Sequence, residues 1–174
     1  GPEGASLLGA ALAKNRALRE LRASSNELGD EGAAGIGAGL GQNRFLQVLS
    51  LRANNVADQG AMALAEALNT NKGLRELELC ANAIGDAGAR ALGTSLVLNR
   101  SLRVLDLREN RVADVGADGL AVGLRRNVFL QQLDLSRNAV GEAGAGQLLG
   151  ALEHNTQLSS LELQGNELST ELIE

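Results

Sequence analysis

The stretch from Leu74 to Asn99, LRELELCANAIGDAGARALGTSLVLN, decides the fold. Leucines stand at 74, 77 and 79, followed by Asn82 and Ile84. The alternation Leu77-Glu78-Leu79 turns one side inward and the other to solvent, as a short half-buried strand does. Asn82 then turns the chain. The second half carries Asp86, the pair Gly88-Ala89, and Leu92 and Leu96 four apart, the apolar stripe of an amphipathic helix. Asn99 ends it. One unit is therefore strand, turn, helix, turn.

Working outward, the pattern recurs every 28 residues without insertion or deletion. Leu18, Leu46, Leu74, Leu102, Leu130 and Leu158 open equivalent units. Leu21, Leu49, Leu77, Leu105, Leu133 and Leu161 follow, then Ala23 (the one departure), Leu51, Leu79, Leu107, Leu135 and Leu163. The motif L-x-x-L-x-L-x-x-N-x-[LVI] closes with Asn26, Asn54, Asn82, Asn110, Asn138 and Asn166. Stacked copies of that Asn can satisfy backbone groups of neighbouring loops that burial would leave unpaired.

The helical half repeats as strictly. Asp30, Asp58, Asp86 and Asp114, with Glu142 in the fifth unit, stand two residues before Gly32, Gly60, Gly88, Gly116 and Gly144. The acid is expected to N-cap its own helix, and the Gly-Ala pair to let helix starts lie close together. Asn43, Asn71, Asn99, Asn127 and Asn155 are expected to end their helices in the left-handed conformation that Asn tolerates. Stacking such units gives an α/β solenoid, a horseshoe with a parallel sheet on its concave face and helices on its convex face.

Composition agrees with repetition rather than with one globular core. The only aromatics are Phe45 and Phe129, Gly reaches 22 residues, and the 44% apolar fraction is mostly Leu and Ala. A net charge of −5 excludes non-specific nucleic-acid binding, which needs a basic surface. No segment approaches the roughly 20 apolar residues of a membrane span. The single Cys80 excludes an internal disulfide and fits a reducing, cytoplasmic compartment.

On these residues the chain resembles the ribonuclease-inhibitor-type leucine-rich repeat proteins, through the strand motif and the helical G-A-x-x-[LI]-x-x-x-L-x-x-N. The wording Asn82 to Leu92 is most similar to the repeat domains of NOD-like receptors. The resemblance implies a ligand-sensing or autoinhibitory module of an intracellular receptor or scaffold, binding protein and carrying no cofactor. Its alternatives are a GTPase-activating protein of the Ran type and an architectural cytoskeletal or flagellar scaffold. Ribonuclease inhibitor itself alternates 28- and 29-residue units and has Cys where this chain has Asn.

The expected organisation is a cleavage scar at 1–2 followed by one domain over 3–174. That domain comprises a half repeat at 3–17, repeats at 18–45, 46–73, 74–101, 102–129 and 130–157, and a terminal strand segment at 158–174. Ser169 and Leu172 stand where Gly recurs elsewhere, so the regular pattern is expected to stop there. Leu161 to Leu163 would then be an exposed pairing edge. A monomer is expected, with end-to-end association possible through uncapped ends.

Residues between the buried leucines carry the candidate site, because folding leaves them free. Arg22, Ser50, Glu78, Asp106, Asp134 and Glu162 form one concave column, whose last four members make a continuous acidic row. Arg52, Cys80 and Arg108 belong to the next column, while Arg75 and Arg103 lie on the other flank. Such a face suits a protein with a basic surface, bound electrostatically and with moderate affinity, since it lacks aromatic anchors. Catalysis finds little support. His154 is the single histidine, at an exposed helix end, and no Cys/His cluster or phosphate-binding glycine loop occurs. Asn99-Arg100-Ser101 reads as a glycosylation sequon by chance, and Cys80 as an incidental free thiol on the concave side. Phe45 and Phe129 are expected to plug the core, and the glycine-rich helix 32–41 to be the most mobile.

Overall fold

The computed structural model describes residues 1–168; Ser169 and Leu172 lie outside them. Six helices and six strands alternate there: α1 (Pro2–Lys14), β1 (Glu20–Arg22), α2 (Gly29–Gln42), β2 (Val48–Ser50), α3 (Asp58–Thr70), β3 (Glu76–Glu78), α4 (Asp86–Leu96), β4 (Val104–Asp106), α5 (Asp114–Leu124), β5 (Gln132–Asp134), α6 (Glu142–Leu152) and β6 (Ser160–Glu162). The strands form one parallel sheet in chain order. Leu21, Leu49, Leu77, Leu105, Leu133 and Leu161 pair in register across it. Pro2, set aside with Gly1 on sequence grounds, is the first helical residue of α1, where a missing N–H is harmless.

The core lies between sheet and helices. Leu49, Leu77 and Leu105 from the strands, and Leu51, Leu79 and Leu107 just after them, meet Ile36, Leu64, Leu92 and Leu120 from the helices, all fully buried. Burial of each such side chain contributes about 1.5–3 kcal/mol. No single repeat can enclose its own leucines, so stability comes from stacking.

Two asparagine ladders satisfy the backbone where the chain turns. Asn82 donates to the carbonyls of Leu51 (3.0 Å) and Leu79 (2.9 Å), while its Oδ1 accepts from the N–H of Asn54 and Val56. Asn71 donates to the carbonyls of Leu40 and Asn43 in the preceding repeat and accepts from the N–H groups of Gly73 and Leu74 just after it. Asn99 is bound in the same way and is buried, so it serves the fold.

Several local expectations need correcting. Asn43 and Asn71 have extended backbone at the helix ends (φ −85° and −70°), because their side chains reach back to the previous repeat. The left-handed non-glycine positions are instead Ser25, Glu27, Ala53, Asn55, Ala81, Glu109 and Arg137, in the turns that follow the concave strands. The acids do not cap their own helices. Asp58 is the first helical residue of α3, and its Oδ1 accepts from Gly85 and Gly88 at the start of α4. Phe45 is 38% exposed and Phe129 half-buried, outside the core. Arg19 and Arg103 lie over their rings at 5.4 and 5.3 Å, a cation–π arrangement that shields them instead. In the glycine-rich α2, Gly35 and Gly39 let α1 and α2 touch backbone to backbone: a Cβ on Gly39 would overlap the Gly9 carbonyl. Those glycines have a packing role.

Candidate functional site

Each concave strand presents two outward side chains, and the left-handed turn after it lifts the next residues along the rim. Glu78, Asp106, Asp134 and Glu162 are register partners on β3 to β6, so neighbouring carboxylates start from backbones about 4.8 Å apart. Parallel pairing with an invariant period brings them together. Glu76, on the same face two residues before Glu78, joins them at the wall of a trough of about 280 Å³. The sequence reading missed Glu76, although the period-two rule that placed Glu78 on this face places Glu76 there as well.

The acids are held differently along the row. Arg22 reaches over Ser50 to Glu78 at 3.1 Å. Burial works against ionising Glu78, but hydrogen bonds from Ser50 and Arg22 outweigh it and hold the carboxyl below its ordinary range. Glu76 is pushed up, first by burial and then by Glu78 beside it. Asp106 is also pushed up, chiefly by burial, although the Arg108 N–H donates to it at 2.9 Å. Asp134 accepts from the N–H and hydroxyl of Ser136. Glu162 accepts from Ser160 at 3.1 Å and Gln164 at 3.0 Å. Among the described residues, no Lys or Arg nitrogen comes within 4 Å of Asp134 or Glu162, in contrast to Glu78 and Asp106.

Beside the acidic trough lies a larger concavity of about 730 Å³, whose lining includes Arg52, Arg108, Arg137, Asp134, Glu162 and Gln164. Arg108 is its most constrained cation. Its Nη2 lies 3.8 Å from Asp106 and 3.9 Å from the Cys80 sulfur, and its Nε is buried without an acceptor among the described residues. Arg137 pairs with Glu109 at 3.3 Å, while Arg52 stands exposed. Cys80 is buried under this group, with its thiol pushed up by burial and by Asp106, so it is no exposed nucleophile. Arg75 and Arg103 line neither concavity; Arg103 is turned to Phe129 and to carbonyls of Arg100, Ser101 and Leu102. His154 is exposed in the turn after α6. No helix of the described residues is long and apolar enough to cross a membrane.

A leucine-rich repeat family model matches residues 14–37, 42–65, 70–93, 98–121 and 126–149, more than half of the chain, with successive matches beginning 28 residues apart. The chain belongs to the leucine-rich repeat family. Comparison with curated protein sequences gives no match. Among solved structures, the chain is similar to actin-binding site 2 of leiomodin-1, with 18% identity, a TM-score of 0.69 and 88% of each chain covered. It is similar also to the C-terminal domain of Caenorhabditis elegans tropomodulin, with 16% identity, a TM-score of 0.64, and 87% of this chain and 92% of that one covered. At these identities the likeness concerns the fold. Proteins of this repeat family are, as a rule, protein-interaction modules rather than enzymes.

Proposed function

We propose that this leucine-rich repeat protein docks a partner with a basic surface on its concave face, as a ligand-sensing or autoinhibitory segment of a cytoplasmic receptor or scaffold. The observation that carries the reading is the register-aligned row Glu78, Asp106, Asp134, Glu162, whose last two members have no basic side chain against them among the described residues. Carboxylates side by side on adjacent strands repel one another, and an approaching cationic surface relieves that repulsion. The repeat wording from Asn82 to Leu92, similar to that of NOD-like receptors, supports the receptor context.

The test compares two double variants in partner recovery at low and high salt. Asp134→Asn with Glu162→Gln keeps the hydrogen-bond acceptors and removes the charges; Glu66→Lys with Asp118→Lys alters exposed convex positions. Loss of salt-sensitive recovery in the first and not the second supports the reading. Equal recovery by both variants and the parent removes it. The likeness in shape to leiomodin-1 actin-binding site 2 favours one specific partner as a second reading, an actin subunit, which co-sedimentation with actin filaments tests directly.

A further inference from the structure

Granting that the concave face is the docking surface, we infer that its occupant is a helical segment of a partner protein carrying a basic stripe and an acidic stripe side by side. The inference starts from which concave charges are already matched. Arg22 serves Glu78, Arg108 lies against Asp106, and Arg137 pairs with Glu109. Glu76, in the neighbouring trough, is unpaired among the described residues. Beside these arginines the acids left over are Asp134 and Glu162, and Arg52 makes no ion pair among the described residues. Leftover charges of both signs line the same concavity of about 730 Å³. A purely basic partner would satisfy Asp134 and Glu162 while setting its own cations against Arg52, Arg108 and Arg137. Like charges brought together at an interface weaken binding as surely as matched ones strengthen it.

The spacing selects a helix. Asp134 and Glu162 start from adjacent strands about 4.8 Å apart, between the rises of about 4.5 Å and 6 Å that separate positions i and i+3 or i+4 of a helix lying across the strands. Arg52 and Arg108 stand two strands apart, about 10 Å, the distance spanned by seven helical residues at 1.5 Å each. The acidic and basic columns are offset by two residues along the strand, about 7 Å, as neighbouring stripes on a helix surface are offset around its axis. Flexible Lys and Glu side chains absorb the remaining mismatch.

The probes are labelled Ala-based helical peptides of about 20 residues, long enough to hold helical structure in water. The first carries Lys at i, i+4, i+7 and i+11 with Glu one position after each. The second has Gln in place of every Glu. The third is the first with prolines in its centre, which abolish the helix. Anisotropy titrations at low salt against the full chain, and against Arg52→Glu with Arg108→Gln, measure the binding.

The first peptide is expected to bind about tenfold more tightly than the second, and to lose that advantage on the arginine variant, while the second keeps or gains affinity there. Tighter binding of the second peptide to the parent chain overturns the inference but leaves the acidic-row reading standing. Equal binding of the proline peptide overturns the helical occupant. Binding of no peptide overturns the inference, and the partner-recovery comparison then decides the broader reading separately.

Discussion

Asp58 caps a helix that is not its own: its Oδ1 accepts the N–H of Gly88, thirty residues further on, at 2.9 Å, and that of Gly85 at 2.8 Å. Asp30, Asp86 and Asp114 do the same for the helices that follow them. The glycine column follows from this contact. A Cβ on Gly88 would lie 2.9 Å from that carboxylate oxygen and as close to the Ala61 side chain. Each acid therefore stitches two repeats together. Asp58→Ala is expected to cost about 2 kcal/mol, the upper part of the range for a lost cap, because two backbone donors lose their acceptor at once. Asp58→Asn, which keeps an oxygen in place, should cost under half as much. Chemical denaturation of both variants checks this, and equal losses would mean that the carboxylate charge, not the hydrogen-bond geometry, carries the contact.

The asparagine ladders make a second, steeper prediction. Asn71 is buried and makes four hydrogen bonds to backbone groups at 2.6–2.9 Å. Asn26 is exposed and makes a single side-chain donation, to the carbonyl of Ser24. Asn71→Ala is expected to cost about 3 kcal/mol or more, since each buried backbone group left unpaired costs about 1–3 kcal/mol. Asn26→Ala should cost about 1 kcal/mol or less. A denaturation series that finds the two equal would remove the ladder as a source of stability.

Strand and helix positions were legible because they depend on spacings inside one unit, such as Leu77-x-Leu79 and Leu92 with Leu96. What a side chain meets in the next unit was not, because one motif is compatible with either geometry. Asp58 lies one residue inside α3 rather than just before it, a shift that hands its carboxylate to α4. Asn71 could have adopted a left-handed turn, but its burial makes the carbonyls of Leu40 and Asn43 its natural partners. The acidic row was readable from the period alone, as register pairing of identical positions. The split between matched and unmatched acids was not, because Arg22 reaches Glu78 across two strands.

That split gives opposite pH responses within one face. The folded state raises the pKa of Asp106, mainly through burial. Stability associated with its neutral form is fully present below the ordinary aspartate range, near pH 4, and is lost as pH rises through the folded value. Glu78 is lowered, burial being outweighed by Ser50 and Arg22, so its contribution is present above the ordinary glutamate range and is lost as pH falls through the folded value. At pH 7, Asp106→Asn should therefore melt higher than the parent and Glu78→Gln lower. Both differences should shrink toward acid. Melting curves of the three proteins across that range check the signs, and a shift of the same sign in both variants would contradict the assignment.

Glycines inside the helices are expected to respond to alanine with opposite signs. A Cβ on Gly39 would overlap the Gly9 carbonyl, and three repeats later a Cβ on Gly123 would overlap that of Gly93 in the same way. At these two helix contacts the backbones touch, so an added methyl must push repeats apart. Gly39→Ala and Gly123→Ala are expected to destabilise by about 1–3 kcal/mol, the usual cost of overpacking. Gly146 and Gly150 in α6 have nothing within 4 Å of the place an added methyl would occupy. There the substitution only removes freedom from the unfolded chain and improves helix propensity, so Gly146→Ala and Gly150→Ala should each stabilise by about 0.5–1 kcal/mol. Propensity alone would make all four stabilising, since every one of them is a helix-interior glycine. Four single variants measured by the same denaturation experiment distinguish the two accounts. Stabilisation by Gly39→Ala would show that α1 and α2 stand further apart in solution than their shared glycine contact requires.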